Sequence, residues 1–300
     1  MEWTPGGESQ DIEDRRGDSG GGGGGGGGGF SPMGFGGIHL GIGGTILLIV
    51  LSLVFKTNLF SLFSGGGGGG APITAPTGRS APAVNAPGEQ REVQFVSFVL
   101  DDVQHTWETL LPQQTNFRYR HAKLVLFRDS YPSACGTADE ASGPFYCPGD
   151  EKVYLDLGFF NELSQRFGAP GEFAQAYVIA HELGHHVQKI LGIEAQVRQA
   201  QERNRSQVNP LSVRLELQAD CFAGIWAKTT EQRKIVNSSD VKAGLQAAAA
   251  VGDDRLQRMA GRQVSPETFT HGSSAQRTHW FETGMQEGTI KACNTFNSNQ

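Results

Sequence analysis

Residues 176–188 read AYVIAHELGHHVQ and contain the pattern H-E-x-x-H within an apolar run. On an α-helix, residues four positions apart lie on one face, so the rings of His181 and His185 point the same way. Two such imidazoles can bind Zn²⁺ at about 2.0–2.1 Å. Glu182 can reach a zinc-bound water without being a ligand. The segment therefore predicts the zinc helix of a hydrolase, with Glu182 as general base.

A structural explanation competes with this one, because so short a motif also arises by chance. Apolar residues surround the helix on nearly all sides, which is typical of a buried segment. Isolated polar groups are costly to bury, so hydrogen-bonded core histidines remain the alternative to metal ligands. His186 is rotated by about 100° from His185 and is expected to pack or to support the site rather than to bind the same zinc.

The third zinc ligand is expected from a second helix, since catalytic zinc usually has three protein ligands and one open position. Residues 214–221 read RLELQADC, which places Glu216 and Asp220 on one face of an otherwise apolar helix. We assign Glu216 to zinc and Asp220 to the ring N–H of a ligand histidine. Helical geometry alone also permits the reverse assignment, and a solvated acidic face is the structural alternative.

The N-terminal part of the chain does not have the composition of a globular domain. Residues 1–37 are acidic and then glycine-rich, and they predict a disordered tail. Residues 38–55 read IHLGIGGTILLIVLSLVF, without a charged side chain, and we predict a transmembrane helix over residues 38–56. A cleavable signal peptide and a buried soluble helix are the alternatives. Residues 57–90, rich in Gly, Ala and Pro, predict a linker.

The predicted orientation rests on weak charge asymmetry. Arg15 and Arg16 precede the apolar stretch, and Lys56 follows it directly. A short tail inside and a large domain outside is the usual single-span arrangement. We therefore expect a single-pass membrane protein whose catalytic domain is periplasmic or otherwise extracytoplasmic. The net charge of −6 gives no reason to expect a nucleic-acid partner.

Residues 91–300 are expected to form one α+β domain, mainly helical with a small β-sheet. The predicted strands are Lys123–Phe127 and Lys152–Leu157. The predicted helices are 93–109, 159–167, 172–191, 211–228, 238–250 and 275–286.

Several segments carry a family resemblance. HELGHH followed by ELQADC resembles the gluzincin peptidases, whose signature is HExxH followed by ExxxD. More narrowly, the chain resembles the putative neutral zinc metallopeptidase family of bacteria over roughly residues 91–296. The matching segments are FYCPGDEKVYLDLGFF, AYVIAHELGHHVQ, RLELQADCFAGIWA and FTHGSSAQRTHWF. The resemblance implies a zincin-type fold, one catalytic Zn²⁺ held by His181, His185 and Glu216, and Glu182 as the base.

Residues 270–277, THGSSAQR, are similar to the H-P-x-x-x-x-R segment of integral-membrane gluzincins, with Gly272 in place of proline. In those enzymes the histidine is thought to stabilise the oxyanion, so the resemblance implies this role for His271. Arg277 could orient a carboxylate or the substrate. A surface histidine and a structural arginine are the alternative.

The four cysteines lack the close spacing of a structural zinc site. In an oxidising compartment, Cys135 and Cys147 would close the loop between the two strands, and Cys221 and Cys293 would tie the ligand helix to the C-terminus. The resemblance and the predicted orientation agree with this pairing. In the cytosol all of them would be thiols.

Together these observations predict a membrane-anchored zinc metallopeptidase, specifically an endopeptidase, that acts on protein or peptide substrates. A zinc amidase acting on cell-wall or other non-protein amides would use the same residues. A non-catalytic membrane-tethered interaction module would keep the fold but would not need Glu182.

Overall fold

The computed structural model describes residues 1–18, 87–139 and 143–297. Its strands are β1 (Ile12–Asp14), β2 (Lys123–Phe127), β3 (Ser130–Ser133), β4 (Gly136–Asp139), β5 (Phe145–Cys147) and β6 (Lys152–Asp156). Its helices are α1 (Pro87–Gln114), α2 (Gly158–Gln165), α3 (Glu172–Ile190), α4 (Ile193–Arg203), α5 (Val208–Gln232), α6 (Ser238–Ala250), α7 (Asp253–Met259) and α8 (Ser274–Glu287). The predicted class, a mainly helical α+β fold with small sheets, is confirmed.

Four strands form one sheet in the order β1-β2-β6-β5. β2 pairs in parallel with β6, from Lys123 opposite Lys152 to Phe127 opposite Asp156. β5 pairs antiparallel with β6 and lies at the edge of the sheet. β2 is buried on both faces, which explains its continuous apolar sequence KLVLF. β3 and β4 form a separate hairpin.

The structure corrects the prediction of a disordered tail for residues 1–18. β1 pairs in parallel with β2, with Ile12 opposite Leu124 and Asp14 opposite Leu126. Trp3 packs against Phe95 of α1, with ring centroids 5.3 Å apart. The acidic, glycine-containing composition predicts disorder, whereas the strand pairing and ring packing that order this segment come from distant parts of the chain.

Charged groups also attach this N-terminal segment to the domain. The α-amino group of Met1 lies 2.8 Å from Oδ1 of Asp240, at the first turn of α6. Arg16 is buried, with Nη2 2.6 Å from the Asp14 carboxylate and Nη1 3.1 Å from that of Glu89. A buried guanidinium is tolerated only when carboxylates pair with it, so this segment is an integral part of the domain.

Helix α3 is the central helix, and α1, α5 and α6 pack around it. It begins after Gly171 at φ 110° and ends before Gly192 at φ 74°, conformations that favour glycine. Its side chains are buried along nearly the whole length, as the apolar sequence predicts. Gly184 lies against α5, where an added Cβ would be 3.0 Å from the carbonyl oxygen of Ala219.

Helices α5 and α8 cross at very short distance because each contributes a glycine. A Cβ on Gly284 would lie 1.9 Å from the carbonyl oxygen of Cys221, and one on Gly224 would lie 2.1 Å from that of Phe281. No other residue type fits without moving a helix. The crossing lies in the second half of both helices, and it places Arg277 in the first turn of α8 beside Asp220 in the middle of α5.

Both predicted cysteine pairs are bonded. Cys135–Cys147 joins the β3–β4 hairpin to β5, and Cys221–Cys293 joins α5 to the 3₁₀ turn Ile290–Cys293. All cysteines of the chain lie in the described ranges, and none of them is free.

The predicted transmembrane helix, residues 38–56, lies outside the described residues, as does the linker over residues 57–86. Among the residues that the structure does describe, no helix combines the length and apolarity needed to cross a membrane. Residues 87–90, which the sequence assigned to the linker, form the first turn of α1. The C-terminal part of the domain therefore begins at Pro87 rather than near Arg91.

Replacing Gly284 by alanine tests the close crossing of α5 and α8. We expect Gly284→Ala to lower the free energy of unfolding by about 3 kcal/mol or to prevent folding, because the methyl group meets backbone atoms that cannot rotate away. Gly88→Ala is the matched control, since a Cβ at this helical position meets open space. Equal urea midpoints for Gly284→Ala and the wild type would contradict the crossing described.

Candidate metal centre

Helices α3 and α5 bring the three predicted zinc ligands together. Nε2 of His181 lies 3.2 Å from Oε2 of Glu216, and Nε2 of His185 lies 3.5 Å from Oε1 of the same carboxylate. One ligand atom from each residue falls within 4.8 Å of the others. The i, i+4 spacing on α3 aligns the two rings, and the packing of α5 against α3 supplies the carboxylate.

This donor set fits zinc. Ligands about 2.1 Å from a tetrahedral zinc ion lie roughly 3.4 Å from one another, close to the separations between the carboxylate and the two rings. Two imidazoles and one carboxylate are a known donor set for catalytic zinc, and they leave the fourth position open. Although burial alone would raise its pKa, the Glu216 side chain has its pKa held well below the usual range by the charge of His185 and by hydrogen bonds from both histidines.

The second ring nitrogen of each histidine is also bound, which leaves both Nε2 atoms facing the centre. Nδ1 of His181 lies 2.8 Å from Oδ1 of Asp220, as predicted for an outer carboxylate. Nδ1 of His185 lies 2.8 Å from Oε1 of Gln188. Gln188 is buried and donates through Nε2 to the carbonyl oxygen of Leu215 on α5, so both helices fix its orientation.

Asp220 is at the centre of a buried polar network. Arg277 donates through Nε to Oδ2 and through Nη2 to Oδ1, at 2.8 and 2.9 Å. The hydroxyl of Tyr177 donates to Oδ1 at 2.5 Å and accepts from Nη2 of Arg277 at 3.1 Å. Burial acts to raise the pKa of Asp220, but the charges of Arg277 and His181 outweigh it and the pKa is lowered. Arg277 therefore orients a carboxylate, one of its two predicted roles.

Glu182 is buried between the ligand set and the sheet. Its carboxyl group lies next to the backbone amide of Tyr146 in the edge strand β5. Burial raises the pKa of Glu182, and the neighbouring His181 and His185 offset part of that rise. A carboxyl group with a raised pKa, next to a metal site, is suited to take up and release a proton.

His186 connects the same strand to α3 and does not face the ligand set. Its Nδ1 lies 2.9 Å from the hydroxyl of Tyr146, and its Nε2 lies 2.7 Å from the carbonyl oxygen of Arg120. Burial lowers the pKa of His186, which favours the neutral ring. The ring then donates to the Arg120 carbonyl and accepts from Tyr146, which fixes β5 next to Glu182.

His271 lies near the metal ligands, in the loop before α8. Its Nδ1 is 3.2 Å from Oδ1 of Asp253, the first residue of α7. Oδ2 of Asp253 accepts hydrogen bonds from the backbone N–H groups of residues 270, 271 and 272. Burial acts to lower the pKa of His271, but the hydrogen bond with Asp253 and the charge of Glu216 outweigh it and the pKa is raised.

Gly272 shows why the match to H-P-x-x-x-x-R is incomplete. Its φ is +93°, which proline cannot adopt because its ring fixes φ near −65°. The loop therefore places His271 by a different backbone path, with Asp253 as its anchor.

Sequence reasoning missed Asp253, Gln188, Tyr146 and Tyr177. Gln188 lies one helical turn after His185, and this spacing could have identified it. Asp253 and Tyr146 reach the site only through tertiary packing. Tyr177 lies one turn before His181 within the apolar run, which gives no signal that its hydroxyl reaches Asp220.

The buried network predicts unequal effects of its members on stability. Arg277→Met should cost roughly 3–5 kcal/mol, because it leaves the Asp220 charge buried with less compensation. Tyr177→Phe should cost about 1–3 kcal/mol, the loss of one hydrogen bond to a charged group. Urea unfolding with excess chelator measures both without a contribution from metal binding.

The control is Arg262→Met, which removes an exposed guanidinium from a loop and should change stability by less than about 0.5 kcal/mol. A stability of Arg277→Met equal to that of this control would show that Asp220 does not depend on Arg277.

Comparison with known proteins places these residues in a family. The family model described as "Putative neutral zinc metallopeptidase" matches residues 1–296. The chain is 41% identical over 299 residues to "Uncharacterized protein YpfJ" of Escherichia coli (strain K12), covering 99% of each chain. It is 41% identical over 209 residues to "Uncharacterized protein Rv2575" of Mycobacterium tuberculosis (strain ATCC 25618 / H37Rv), covering 66% of this chain and 68% of that one. No solved structure shows significant similarity.

The family match includes residues 1–18, in agreement with their place in the sheet, and it extends through the ligand helices to the turn after α8. The chain belongs to the putative neutral zinc metallopeptidase family.

Proposed function

We propose that this protein is a zinc-dependent metallopeptidase that hydrolyses peptide bonds in protein or peptide substrates. The observation that carries the proposal is the convergence of His181, His185 and Glu216 beside the buried carboxyl group of Glu182. A purely structural site would need hydrogen-bond partners for the histidines, but it would not need a buried carboxyl group at Glu182.

The roles of the chain's own residues follow from their positions. Bound zinc would supply Lewis acidity for an attacking water and for the scissile carbonyl. Glu182 accepts a proton from the water and delivers it to the leaving amine nitrogen. His271, held by Asp253 through Nδ1, presents Nε2 to the carbonyl oxygen as charge develops there. Asp220 and Gln188 keep the ligand rings from rotating.

The position of β5 supports a peptide substrate over a non-peptide amide. Among the described strands β5 lies at the edge of the sheet, and the amide of Tyr146 lies next to Glu182. The unpaired edge therefore borders the site. An extended peptide can add to such an edge by backbone hydrogen bonds, a form of recognition that requires a polypeptide.

We further propose that the catalytic domain works in an oxidising, extracytoplasmic compartment. The support is the pair of disulfides, because such bonds persist outside the reducing cytosol. Attachment to the membrane through residues 38–56 remains a prediction from the sequence.

Replacing Glu182 by glutamine tests the chemistry. The full chain, purified in detergent, should bind one zinc ion and hydrolyse a fluorescently labelled unfolded protein. Glu182→Gln should keep the zinc and lose about 10²–10⁴-fold in rate, because the amide cannot accept the proton. His185→Ala should lose the metal as well. Atomic absorption and the hydrolysis assay give the two measurements.

Glu202→Gln, an exposed change on α4, is the control and should have wild-type zinc content and rate. A Glu182→Gln protein that keeps zinc and full activity would contradict the proposed role. A zinc-loaded wild type that cleaves amides of cell-wall fragments, but no protein or peptide, would show that the substrate class is wrong.

A double-mutant cycle tests how Asp253 and His271 cooperate. We expect His271→Ala to reduce kcat by about 10²–10³-fold, with zinc content unchanged. Asp253→Asn should also reduce kcat. The oxygen of the new amide would face the backbone N–H groups, so that its NH₂ group, a donor, would face Nδ1 of His271 in place of an acceptor. In the His271→Ala background, Asp253→Asn should have little further effect on kcat. Independent, multiplicative losses would show that Asp253 does not act through His271.

A further inference from the structure

The N-terminal segment and the C-terminal domain meet in a single sheet, although the chain between them contains its most apolar stretch. The carbonyl oxygen of Asp11 accepts from the amide of Leu124, and the amide of Arg15 donates to the carbonyl oxygen of Leu126, at 2.8 and 2.7 Å. Both bonds cross the boundary between β1 and β2. Residues 38–55 lie between these two strands in the sequence.

Side chains hold the two strands in the same register. Nζ of Lys152 on β6 lies 2.8 Å from the carboxylate of Glu13. The carboxylate of Asp11 lies 2.8 Å from Nζ of Lys123. Together with the packing of Trp3 on α1, these contacts make β1 a specific part of the sheet and not an incidental neighbour.

Strand pairing and a single membrane crossing cannot coexist. Neighbouring strands lie about 4.8 Å apart, whereas the hydrocarbon core of a bilayer is ~30 Å thick. A chain that crosses once between residues 18 and 87 would leave β1 on one side and β2 on the other. β2 would then become an exposed apolar edge, which folded proteins avoid.

We propose that residues 1–18 and residues 87–297 occupy the same side of the membrane. The chain between them then crosses an even number of times or not at all. This proposal replaces the single-pass arrangement predicted from the sequence. It is independent of the chemistry at the metal centre, so that failure of either proposal leaves the other intact.

The surroundings of Arg16 weaken the argument for an N-terminus on the cytoplasmic side. The positive-inside rule reads arginine next to an apolar stretch as a topology signal. Arg16 is buried between the carboxylates of Asp14 and Glu89, and Glu89 also pairs with Arg128. These contacts give Arg16 a role in the folded domain, where it contributes to attaching β1.

Cysteine labelling in cells measures the proposal directly. Gly7→Cys places a thiol where an added Cβ meets open space, and Gln232→Cys places one at the exposed end of α5. The full chain carrying one of these changes is produced in a bacterium. Spheroplasts are treated with a membrane-impermeant maleimide before or after lysis. The wild type, whose own cysteines are paired, is the control for background.

We expect both positions to be labelled to the same extent before lysis. Equal labelling of both positions only after lysis would also place them on one side, and would contradict only the proposed extracytoplasmic location. Labelling of Gln232→Cys before lysis and of Gly7→Cys only afterwards, or the reverse, would overturn the proposal.

Hydrogen exchange tests the strand pairing itself in the full chain embedded in lipid vesicles. The amide of Leu124 faces β1, so we expect it to exchange at least ~100-fold more slowly than an unstructured amide. The amides of β2 that bond to β6 serve as the internal control. Fast exchange at Leu124 with protection of that control would show that β1 is not docked and would overturn the proposal.

Discussion

The buried carboxylate of Asp220 is the interaction on which the rest of the site depends. A charge removed from water costs several kcal/mol unless partners compensate it. Here Arg277 comes from α8, while His181 and Tyr177 come from α3. Three helices must therefore meet at one point before His181 can be oriented. Gly224 and Gly284 permit that meeting, so two residues without side chains determine where a ligand ring points.

The sheet controls the other half of the site, because it holds the proposed base. Glu182 lies next to the backbone amide of Tyr146. The hydroxyl of the same tyrosine bonds to His186, which is on the same helix as Glu182. Cys147, the next residue of β5, is tied to Cys135. The edge strand is thus fixed covalently from the hairpin and by hydrogen bonds from the zinc helix. The helices position the ligands, whereas the sheet positions the base.

The ligand set could be predicted because its geometry is mostly local. The i, i+4 spacing aligns His181 with His185 in any α-helix, and the same spacing identified the face that carries Glu216 and Asp220. Asp253 could not be found in this way. It reaches His271 only because α7 packs beside the loop before α8, and a sequence contains no periodic signal for such a contact.

The N-terminal segment shows how composition can mislead about order and about topology together. Residues 1–18 lack apolar periodicity because β1 is short and lies at a sheet edge, where one neighbour supplies its hydrogen bonds. A disordered tail is compatible with any membrane sidedness, whereas a paired strand is not. Once β1 lies beside β2, the hydropathy of residues 38–55 still favours contact with lipid. That hydropathy no longer favours a single crossing of the membrane, because β1 before this stretch and β2 after it belong to the same sheet.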